Sequence, residues 1–250
     1  MARLPIALQL YSVRHECEKD LPGTLRAVAE MGYEGVEFAG FYGRTAQELK
    51  RLLDEVGLPC VGSHTPWAAL QGDALAQTVE FNRILGNRFL IVPGLPKERT
   101  ATRAAWLETA EMFNTLAAQL APEGMRIGYH NHFHEFTPLE GELPWDTFFG
   151  HTRQDVIMQL DTGNAVHGGG DPATFLRRYP GRALSVHLKE HSASYDTALI
   201  GEGEIRWQEI FELCETVGGT QVYVVEQESY RLPPLECVAQ CLQNLRKMGK

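Results

Sequence analysis

Residues 156–161 read VIMQLD and contain the pattern on which the fold prediction depends. The apolar residues Met158 and Leu160 alternate with the polar residues Gln159 and Asp161, as expected of a β-strand whose two faces meet different surroundings. Seven other short segments share this strand character, and each is followed by turn residues and a helical stretch. The eight candidate strands are PIALQLY (5–11), EGVEFA (34–39), PCVGSH (59–64), RFLIVP (88–93), MRIGYH (125–130), VIMQLD (156–161), ALSVHL (183–188) and QVYVVE (221–226).

The stretches between the candidate strands carry local helix signals. Thr45 and Glu48 have the spacing of a capping box, and the helix that they begin is expected to end near Gly57. Asp20 is placed to cap an earlier helix, which is expected to end at Gly32. Strands that alternate with helices predict parallel strand pairing.

Eight strand–helix units in 250 residues match the usual size of a closed (β/α)8 barrel. An open, doubly wound sheet is the alternative fold. It would be expected to carry a glycine-rich phosphate loop after its first strand, and the segment LQLYSVRHE (8–16) offers none. We therefore predict an α/β fold, a single (β/α)8 TIM barrel that spans residues 1–250 as one domain.

The composition argues against several classes of function. Lys and Arg number 23 and Asp and Glu number 32, which gives a formal net charge of −9. Without a basic run, the chain is a poor candidate for binding nucleic acid, which needs clustered cations. No apolar stretch approaches the roughly 20 residues that cross a membrane, and the N-terminus has no secretory signal. The five cysteines are scattered, so we expect a reducing, cytoplasmic location.

Polar side chains lie at the carboxyl ends of six candidate strands. If the apolar residues of each strand face the helices, the alternating polar residues face the inside of the barrel. Barrel enzymes build their active sites at this end of the strands. The ionisable residues that we expect to point inward are Glu37, His64, His130, His132, Asp161, His187, Lys189, Glu226 and Glu228.

Burial of so many ionisable groups would be costly without a counter-charge, and a divalent cation is the simplest one. Imidazole nitrogen combined with carboxylate oxygen suits Mn, Zn, Co or Fe better than Ca, which prefers oxygen ligands alone. We therefore expect a divalent metal ion as cofactor. The residue types do not indicate which of these four metals is bound.

Residues 161–171 read DTGNAVHGGGD and contain three consecutive glycines. Three glycines in a row could indicate phosphate binding, but the spacing of a phosphate-binding fingerprint is missing. We therefore expect a flexible active-site loop here.

The motifs as a set resemble the sugar phosphate isomerase/epimerase group of xylose isomerase-like barrels. This group includes ketose 3-epimerases, inosose dehydratase and inosose isomerase, and it is related to the metal-dependent apurinic endonucleases. The resemblance covers essentially the whole chain. The motifs that carry it, in this order and spacing, are LQLYSVR, GYEGVEF, GSHTPW, YHNHFHEF, LDTGNAVHGGGDP, VHLKEH, GEGEIRW and VVEQE.

The resemblance implies one metal ion held by Glu, Asp, His and Glu from the fifth to the eighth strand. Matched position by position, Asp161, His187 and Glu226 take the last three places. The strand-five position is usually Glu, and His130 stands there in this chain. This departure removes one of the two Glu bases of the epimerases. His132 and Glu135 remain alternatives to His130 as the strand-five ligand.

The chemistry that the resemblance implies is isomerisation or epimerisation of a keto-sugar or keto-inositol, by proton abstraction next to a metal-bound carbonyl. Glu226 is the expected base, and His132 or Lys189 the expected second catalytic group. The expected substrate-binding residues are Glu37, His64, Trp67 and, from a loop over the mouth, Arg206.

Three alternatives remain open. The first is a dehydratase, a lyase that expels a hydroxyl group after the same proton abstraction. The second is a non-catalytic barrel that binds a sugar or a metal. The third is a DNA-repair nuclease, but the nuclease relatives use three metals and place a His where this chain has Asn164. The expected partner is a small-molecule carbohydrate, with no nucleic acid and no membrane, and a homo-oligomer is left open.

Overall fold

Eight parallel strands close into a barrel in the computed structural model, which describes residues 3–250. Each strand lies within the segment predicted for it, and the strands follow one another around the barrel in chain order. The prediction of a (β/α)8 TIM barrel is therefore confirmed. The strands are β1 (Ile6–Gln9), β2 (Val36–Ala39), β3 (Cys60–His64), β4 (Phe89–Val92), β5 (Arg126–His130), β6 (Ile157–Asp161), β7 (Ser185–Leu188) and β8 (Val222–Val225).

Helices connect successive strands. They are α1 (Arg14–Met31), α2 (Ala46–Val56), α3 (Ala74–Leu85), α4 (Arg103–Leu120), α5 (Pro144–Phe149), α6 (Thr162–His167), α7 (Pro172–Arg178), α8 (Trp207–Leu213) and α9 (Pro234–Lys247). Within the described residues, no helix combines the length and the apolar character needed to cross a membrane.

Local capping signals place several helix ends where the sequence predicted them. The Thr45 hydroxyl accepts the backbone N–H of Glu48, and the Glu48 carboxylate accepts the backbone N–H of Thr45, so the capping box of α2 is complete. Gly57 ends α2 in the left-handed conformation, with φ of 74°. A residue without Cβ adopts this conformation with little strain, which is why glycine suits the position.

Helix α1 begins earlier than predicted and is kinked where its start was expected. Asp20 has non-helical backbone angles (φ −151°, ψ 82°) inside Arg14–Met31. Its side chain accepts the backbone N–H of Gly23 at 3.0 Å, so it caps the second part of the helix as predicted. Pro22 lies in the first turn of that second part, where its missing N–H costs nothing. The part of the helix before Asp20 was not predicted; a 3-10 turn at Leu10–Val13 connects it to β1.

The outward-facing side of the strands forms the main core with the helices. Phe38, Tyr129 and Leu160 were predicted to face outward, and they are at most 1% exposed within this core. Inside the barrel, below the carboxyl ends of the strands, two smaller apolar clusters fill the space. They consist of Ala7, Val222 and Val224, and of Ile91, Ile157 and Leu184.

A register shift between β2 and β3 makes room for a buried carboxylate. Val36 pairs with Cys60, whereas the next residue, Glu37, pairs with Gly62. A Cβ atom at Gly62 would collide with the Glu37 carboxylate. Glycine at this position therefore lets a charged side chain lie inside the barrel wall between two strands.

The prediction of a flexible loop over residues 161–171 was wrong. Thr162–His167 forms helix α6, and the Asp161 side chain caps it by accepting the backbone N–H of Asn164 at 2.7 Å. A Cβ at Gly168 would collide with the backbone carbonyl of Phe133. Gly168 and Gly170 therefore allow this turn to pack closely against the segment after β5, which local sequence patterns do not reveal.

Candidate active site

Four side chains from consecutive strands converge at the carboxyl end of the barrel. They are His130, Asp161, His187 and Glu226, which come from the ends of β5, β6 and β7 and from the residue after β8. One ligand atom of each lies within 4.8 Å of the others, and all four residues are buried. His187 Nδ1 lies 2.7 Å from Glu226 Oε2 and 4.0 Å from Asp161 Oδ2, while His130 Nε2 lies 3.9 Å from Glu226 Oε2. We call this set the four-donor cluster.

Asp161 supplies an oxygen atom that nothing else in the described protein satisfies. Its Oδ1 accepts the N–H of Asn164, whereas its Oδ2 is buried and has no hydrogen-bond partner among the described residues. Burial raises the pKa of Asp161 to about 7, against the opposing influence of the Lys189 cation. An unpartnered buried carboxylate oxygen is unfavourable unless a cation is bound to it. Two imidazole nitrogens and two carboxylate oxygens fit a divalent transition metal.

His187 is held between two carboxylates. Its Nδ1 lies 2.7 Å from Glu226 Oε2 and its Nε2 lies 2.7 Å from Glu37 Oε1. Burial alone would lower the pKa of His187, but Glu37 and Glu226 outweigh it and raise the pKa to about 10. The ring therefore carries both protons in this arrangement. Only the Nδ1 proton would have to leave for a metal to bind, and Nε2 could still donate to Glu37.

Glu37 lies behind the four-donor cluster and contacts protein groups with both oxygens. Its Oε1 accepts Gln9 Nε2 at 2.8 Å as well as His187, and its Oε2 accepts Gln159 Nε2 at 2.8 Å. Burial alone would raise the pKa of Glu37, but His187 and His64 hold it well below its ordinary value. A carboxylate on the far nitrogen of a metal-binding histidine fixes the ring orientation and strengthens the ligand. Glu37 therefore contacts His187 in the structure. The contact between Glu37 and substrate that the sequence analysis expected stays a prediction.

Gln159 orients the second imidazole of the cluster, and sequence reasoning gave it no role. Its Oε1 lies 3.2 Å from His130 Nδ1 and 2.9 Å from His64 Nε2. A carbonyl oxygen can only accept, so Gln159 favours a proton on His130 Nδ1 and leaves Nε2 free to bind a metal. Burial, reinforced by His187 and His64, lowers the pKa of His130 and keeps the ring neutral. The alternation in VIMQLD placed Gln159 on the inward face of the strand, and this was the one sequence signal that could have indicated its role.

Of the three candidates for the strand-five ligand, the structure brings His130 into the four-donor cluster. Glu135 is buried and uses its oxygens within the segment after β5. It accepts the Tyr129 hydroxyl at 2.5 Å and the backbone N–H of His132 at 2.9 Å. Glu135 therefore anchors this segment, and through it the position of His132.

His132 and Lys189 line a cavity at the carboxyl end of the barrel, which we call the mouth cavity. Its wall contains residues one or two positions after each member of the four-donor cluster, but none of the four donors themselves. The cavity has a volume of about 750 Å³, and its wall also includes His167, His191, Glu228 and residues 192–196. Burial lowers the pKa of His132. Burial would also lower the pKa of Lys189, but the carboxylates of Asp161, Glu226 and Glu228 hold it above its ordinary range. Lys189 is thus a permanent cation, and its ammonium group pairs with Glu228.

The remaining predicted substrate contacts lie elsewhere. His64 stacks on His187 with ring centroids 5.3 Å apart, and its Nε2 lies 3.1 Å from Glu37 Oε1, so it belongs to the network behind the cluster. Trp67 stacks on Phe113 of α4 with centroids 5.7 Å apart. Arg206 is 61% exposed and pairs with Asp171 and Glu209 on the surface. None of these three lines the mouth cavity within the described residues, and their substrate roles stay predictions.

The sequence pattern of the xylose isomerase-like TIM barrel family matches residues 25–248. The chain belongs to this family. The resemblance on which the sequence analysis relied is therefore confirmed. Proteins similar to this chain include an inosose dehydratase and an L-ribulose 3-epimerase, so the fold is shared by enzymes with different reactions.

Several known proteins are similar to this chain over most of its length. The rhizopine catabolism protein MocC of Rhizobium meliloti is 23% identical, over 90% of this chain and 80% of its own length. An inosose dehydratase of Erwinia tasmaniensis is 25% identical, over 88% of each chain. A crystal structure of a sugar phosphate isomerase/epimerase from Parabacteroides distasonis has a TM-score of 0.85 and 25% identity, and the match covers 98% of both chains.

We expect the affinity of the four-donor cluster for a divalent ion to fall as the pH is lowered. In the metal-free protein His187 holds its second proton up to about pH 10, and Asp161 takes up a proton below about pH 7. Metal binding then displaces about one proton between these values and about two below the lower one. Calorimetric titration should show a Kd that rises about ten-fold for each unit by which the pH is lowered from about 10 to about 7, and more steeply below pH 7. A Kd that does not change with pH would contradict this assignment of donors.

Proposed function

We propose that this protein is a metal-dependent enzyme that removes the proton next to the carbonyl group of a polyhydroxylated ketone, such as a keto-inositol or a keto-sugar. The observation that carries the proposal is the convergence of four buried donors, one of them a carboxylate with an unpartnered oxygen, next to a cavity that His132 and Lys189 line. A purely structural network would be expected to satisfy that oxygen with a hydrogen bond.

His130, Asp161, His187 and Glu226 would hold one divalent ion of Mn, Zn, Co or Fe. When bound, such an ion acts as a Lewis acid that polarises a carbonyl oxygen. Glu37 and Gln159 hold the two imidazoles in the orientation that this requires. The carboxyl ends of four consecutive strands supply the donors, so they are fixed by the barrel itself and not by mobile loops.

Glu226 is the proposed base. Burial alone would raise its pKa, but Lys189 and His187 outweigh it and hold the pKa well below the ordinary value, so the group is a carboxylate that can accept a proton. Lys189 places a permanent positive charge beside it, where negative charge develops on a substrate oxygen as the proton leaves. His132 lines the same cavity and is the proposed carrier of the proton that is given back.

Elimination of water is the outcome that we place first. The strand-five position holds His130 instead of the Glu that the epimerases use, so Glu226 is the one glutamate of the cluster and no mirror-related second glutamate base is present. A single base with an imidazole and a cation nearby suits removal of a proton and assistance to a leaving hydroxyl group. Relatives named inosose dehydratase agree with this choice, which reverses the order of reactions expected from the sequence.

Isomerisation or epimerisation is the second candidate. It shares the proton abstraction by Glu226 and differs in returning the proton to carbon. The similarity to the sugar phosphate isomerase/epimerase of Parabacteroides distasonis over 98% of both chains favours it. Product identification separates the two, since elimination loses a water molecule and isomerisation conserves the mass.

The test is incubation of the metal-loaded protein with a panel of inososes and ketoses in deuterated water. We expect deuterium at the carbon next to the carbonyl group, or a dehydrated product, with at least one member of the panel. Absence of both exchange and product with every metal and substrate would contradict the proposal. A nicking assay on abasic DNA with added Mn or Zn tests the nuclease alternative, and cleavage would favour that alternative instead.

The charges around the mouth cavity predict a substrate without phosphate. Lys189 is the only Lys or Arg among the described residues of the wall, and it is paired with Glu228. Asp161, Glu226 and Asp196 add further negative charge at or near the cavity. We expect kcat/KM for a phosphorylated ketose to be about ten-fold or more below that for its neutral counterpart, because the phosphate meets several carboxylates and a lysine that is already paired with Glu228. Equal kcat/KM values in a paired assay would contradict this.

A further inference from the structure

The segment that forms one side of the mouth cavity is tied to a single buried carboxylate. This segment, residues 189–206, connects β7 to α8 and is called the β7 loop below. Glu190 is 8% exposed and accepts four hydrogen bonds from the loop and its end. They come from the backbone N–H groups of His191 (3.0 Å), Gly201 (2.7 Å) and Ile205 (3.2 Å) and from the indole N–H of Trp207 (2.8 Å).

The backbone of the second half of the β7 loop lies directly against the Glu190 carboxylate. A Cβ at Gly203 would lie 2.6 Å from Glu190 Oε1 and would also collide with the carbonyl of His191. The backbone N–H of Glu204 donates to that same carbonyl at 2.8 Å. Only glycine at position 203 therefore allows the loop backbone to lie this close to Glu190 and to the carbonyl of His191.

The β7 loop has a buried base and an exposed tip. Ala198, Leu199 and Ile200 are at most 4% exposed and form the base. Residues 192–196 form the tip and line the mouth cavity. The tip is connected back to the loop by the N–H of Ala193, which donates to Glu204 Oε1 at 3.0 Å, and by the Tyr195 hydroxyl, which donates to the carbonyl of Glu202 at 3.2 Å. The position of the tip therefore depends on the part of the loop that Glu190 holds.

We propose that Glu190 is a positioning residue that holds the β7 loop as a fixed wall of the mouth cavity, so that residues 192–196 determine which substrate fits. The four-donor cluster comes from strand ends and does not depend on this loop. Apart from Lys189 at the start of the loop, the groups proposed for chemistry and those proposed for substrate selection therefore lie in different parts of the barrel. The statement about substrate rests on the proposed function, whereas the hold of Glu190 on the loop does not.

Two variants test the hold on the loop. Glu190→Gln keeps the shape of the side chain but replaces one accepting oxygen by an NH2 group, which cannot accept the N–H groups that face it. Gly203→Ala leaves the carboxylate intact and forces the backbone away from it. Glu212→Gln, on the exposed face of α8, removes the same charge without a side-chain partner and is the matched control.

We expect chymotrypsin to cleave both test variants at Tyr195 about ten-fold or more faster than it cleaves the unaltered protein and the control. The loss of one hydrogen bond to a charged group corresponds to about this factor. We expect KM to rise by a similar factor, with kcat and the Kd for Mn within about three-fold. Cleavage and KM equal to those of the control would overturn the proposal, and so would a loss of Mn affinity together with KM.

Hydrogen exchange on the unaltered protein tests the same hold if the variants fail to fold. The amides of His191, Gly201 and Ile205 should exchange about 100-fold or more slowly than those of residues 195 and 196. Equal exchange in the two groups would overturn the proposal. Hydrogen exchange and proteolytic cleavage can be measured without turnover. The role of Glu190 in holding the loop can therefore be confirmed even if no substrate is found, and the proposed function can be confirmed even if Glu190 does not hold the loop.

Discussion

The variant Glu226→Gln is expected to lower turnover by a factor on the order of 10² to 10⁴, which is the usual contribution of a general base. The amide keeps the size of the side chain and offers one oxygen, so the variant should fold and still bind metal at raised concentration. What it loses is the ability to accept the substrate proton. The electrostatic partnership with His187, whose Nδ1 lies 2.7 Å away, is weakened at the same time.

The measurement for Glu226→Gln is turnover at saturating metal, with metal occupancy determined in the same samples. Substrate binding, measured by calorimetry, should be retained. Glu236→Gln removes the same charge from the exposed first turn of α9 and should leave turnover unchanged. Turnover of Glu226→Gln within about three-fold of the unaltered protein would refute the assignment of the base. Unaltered protein that binds substrate without turnover would instead support the non-catalytic barrel.

The variant Glu37→Gln is expected to weaken metal binding about 10- to 100-fold, although Glu37 is not itself a donor in the cluster. Glu37 Oε1 lies 2.7 Å from His187 Nε2, so it fixes which nitrogen of the ring faces the cluster and makes that nitrogen a stronger ligand. A glutamine is neutral and also brings an NH2 group toward His64 or Gln159. The imidazole loses its charged partner and its defined orientation.

Competition with a metal indicator measures this loss directly, without turnover. Glu55→Gln, on the exposed face of α2, is the matched control and should bind metal as the unaltered protein does. Thermal unfolding of both variants without metal shows whether the network survives. An unchanged metal affinity in folded Glu37→Gln would contradict an orienting role for Glu37 and would favour the substrate contact predicted from the sequence.

Alternation along single strands predicted most of the side chains that point into the barrel. Asp161, His187 and Glu226 were placed by this rule and by the resemblance, and the structure brings them together with His130. The rule works because one face of every strand must pack against helices, and that face is apolar. It needs no knowledge of how neighbouring strands are aligned.

Contacts that depend on alignment between strands were beyond this reasoning. Glu37 reaches His187 because the register between β2 and β3 shifts at this residue and Gly62 leaves space for the carboxylate. Gln9 and Gln159 complete the network from the opposite side of the barrel. An amide side chain carries no charge and no motif, so its place in such a network becomes visible only with the structure.

Loops were predicted less well than strands for a similar reason. Glycines at 168–170 suggested flexibility, but Gly168 serves close packing beside helix α6. Glu190 looked like one more charged residue after a strand, and its four hydrogen bonds come from residues up to 17 positions away. Neither role has a local sequence signature, because each is defined by what approaches the residue from elsewhere in the chain.

The metal site at the carboxyl end of the barrel can be tested by metal binding to the purified protein and to its Asp161→Asn variant. We predict that the unaltered chain binds one divalent ion of Mn, Zn, Co or Fe and unfolds at a higher temperature with it. Asp161→Asn, which lacks the charged and unpartnered Oδ2, should bind at least about 100-fold more weakly. An unaltered protein that binds none of these ions, or a folded variant that binds them equally well, would contradict the presence of this metal site.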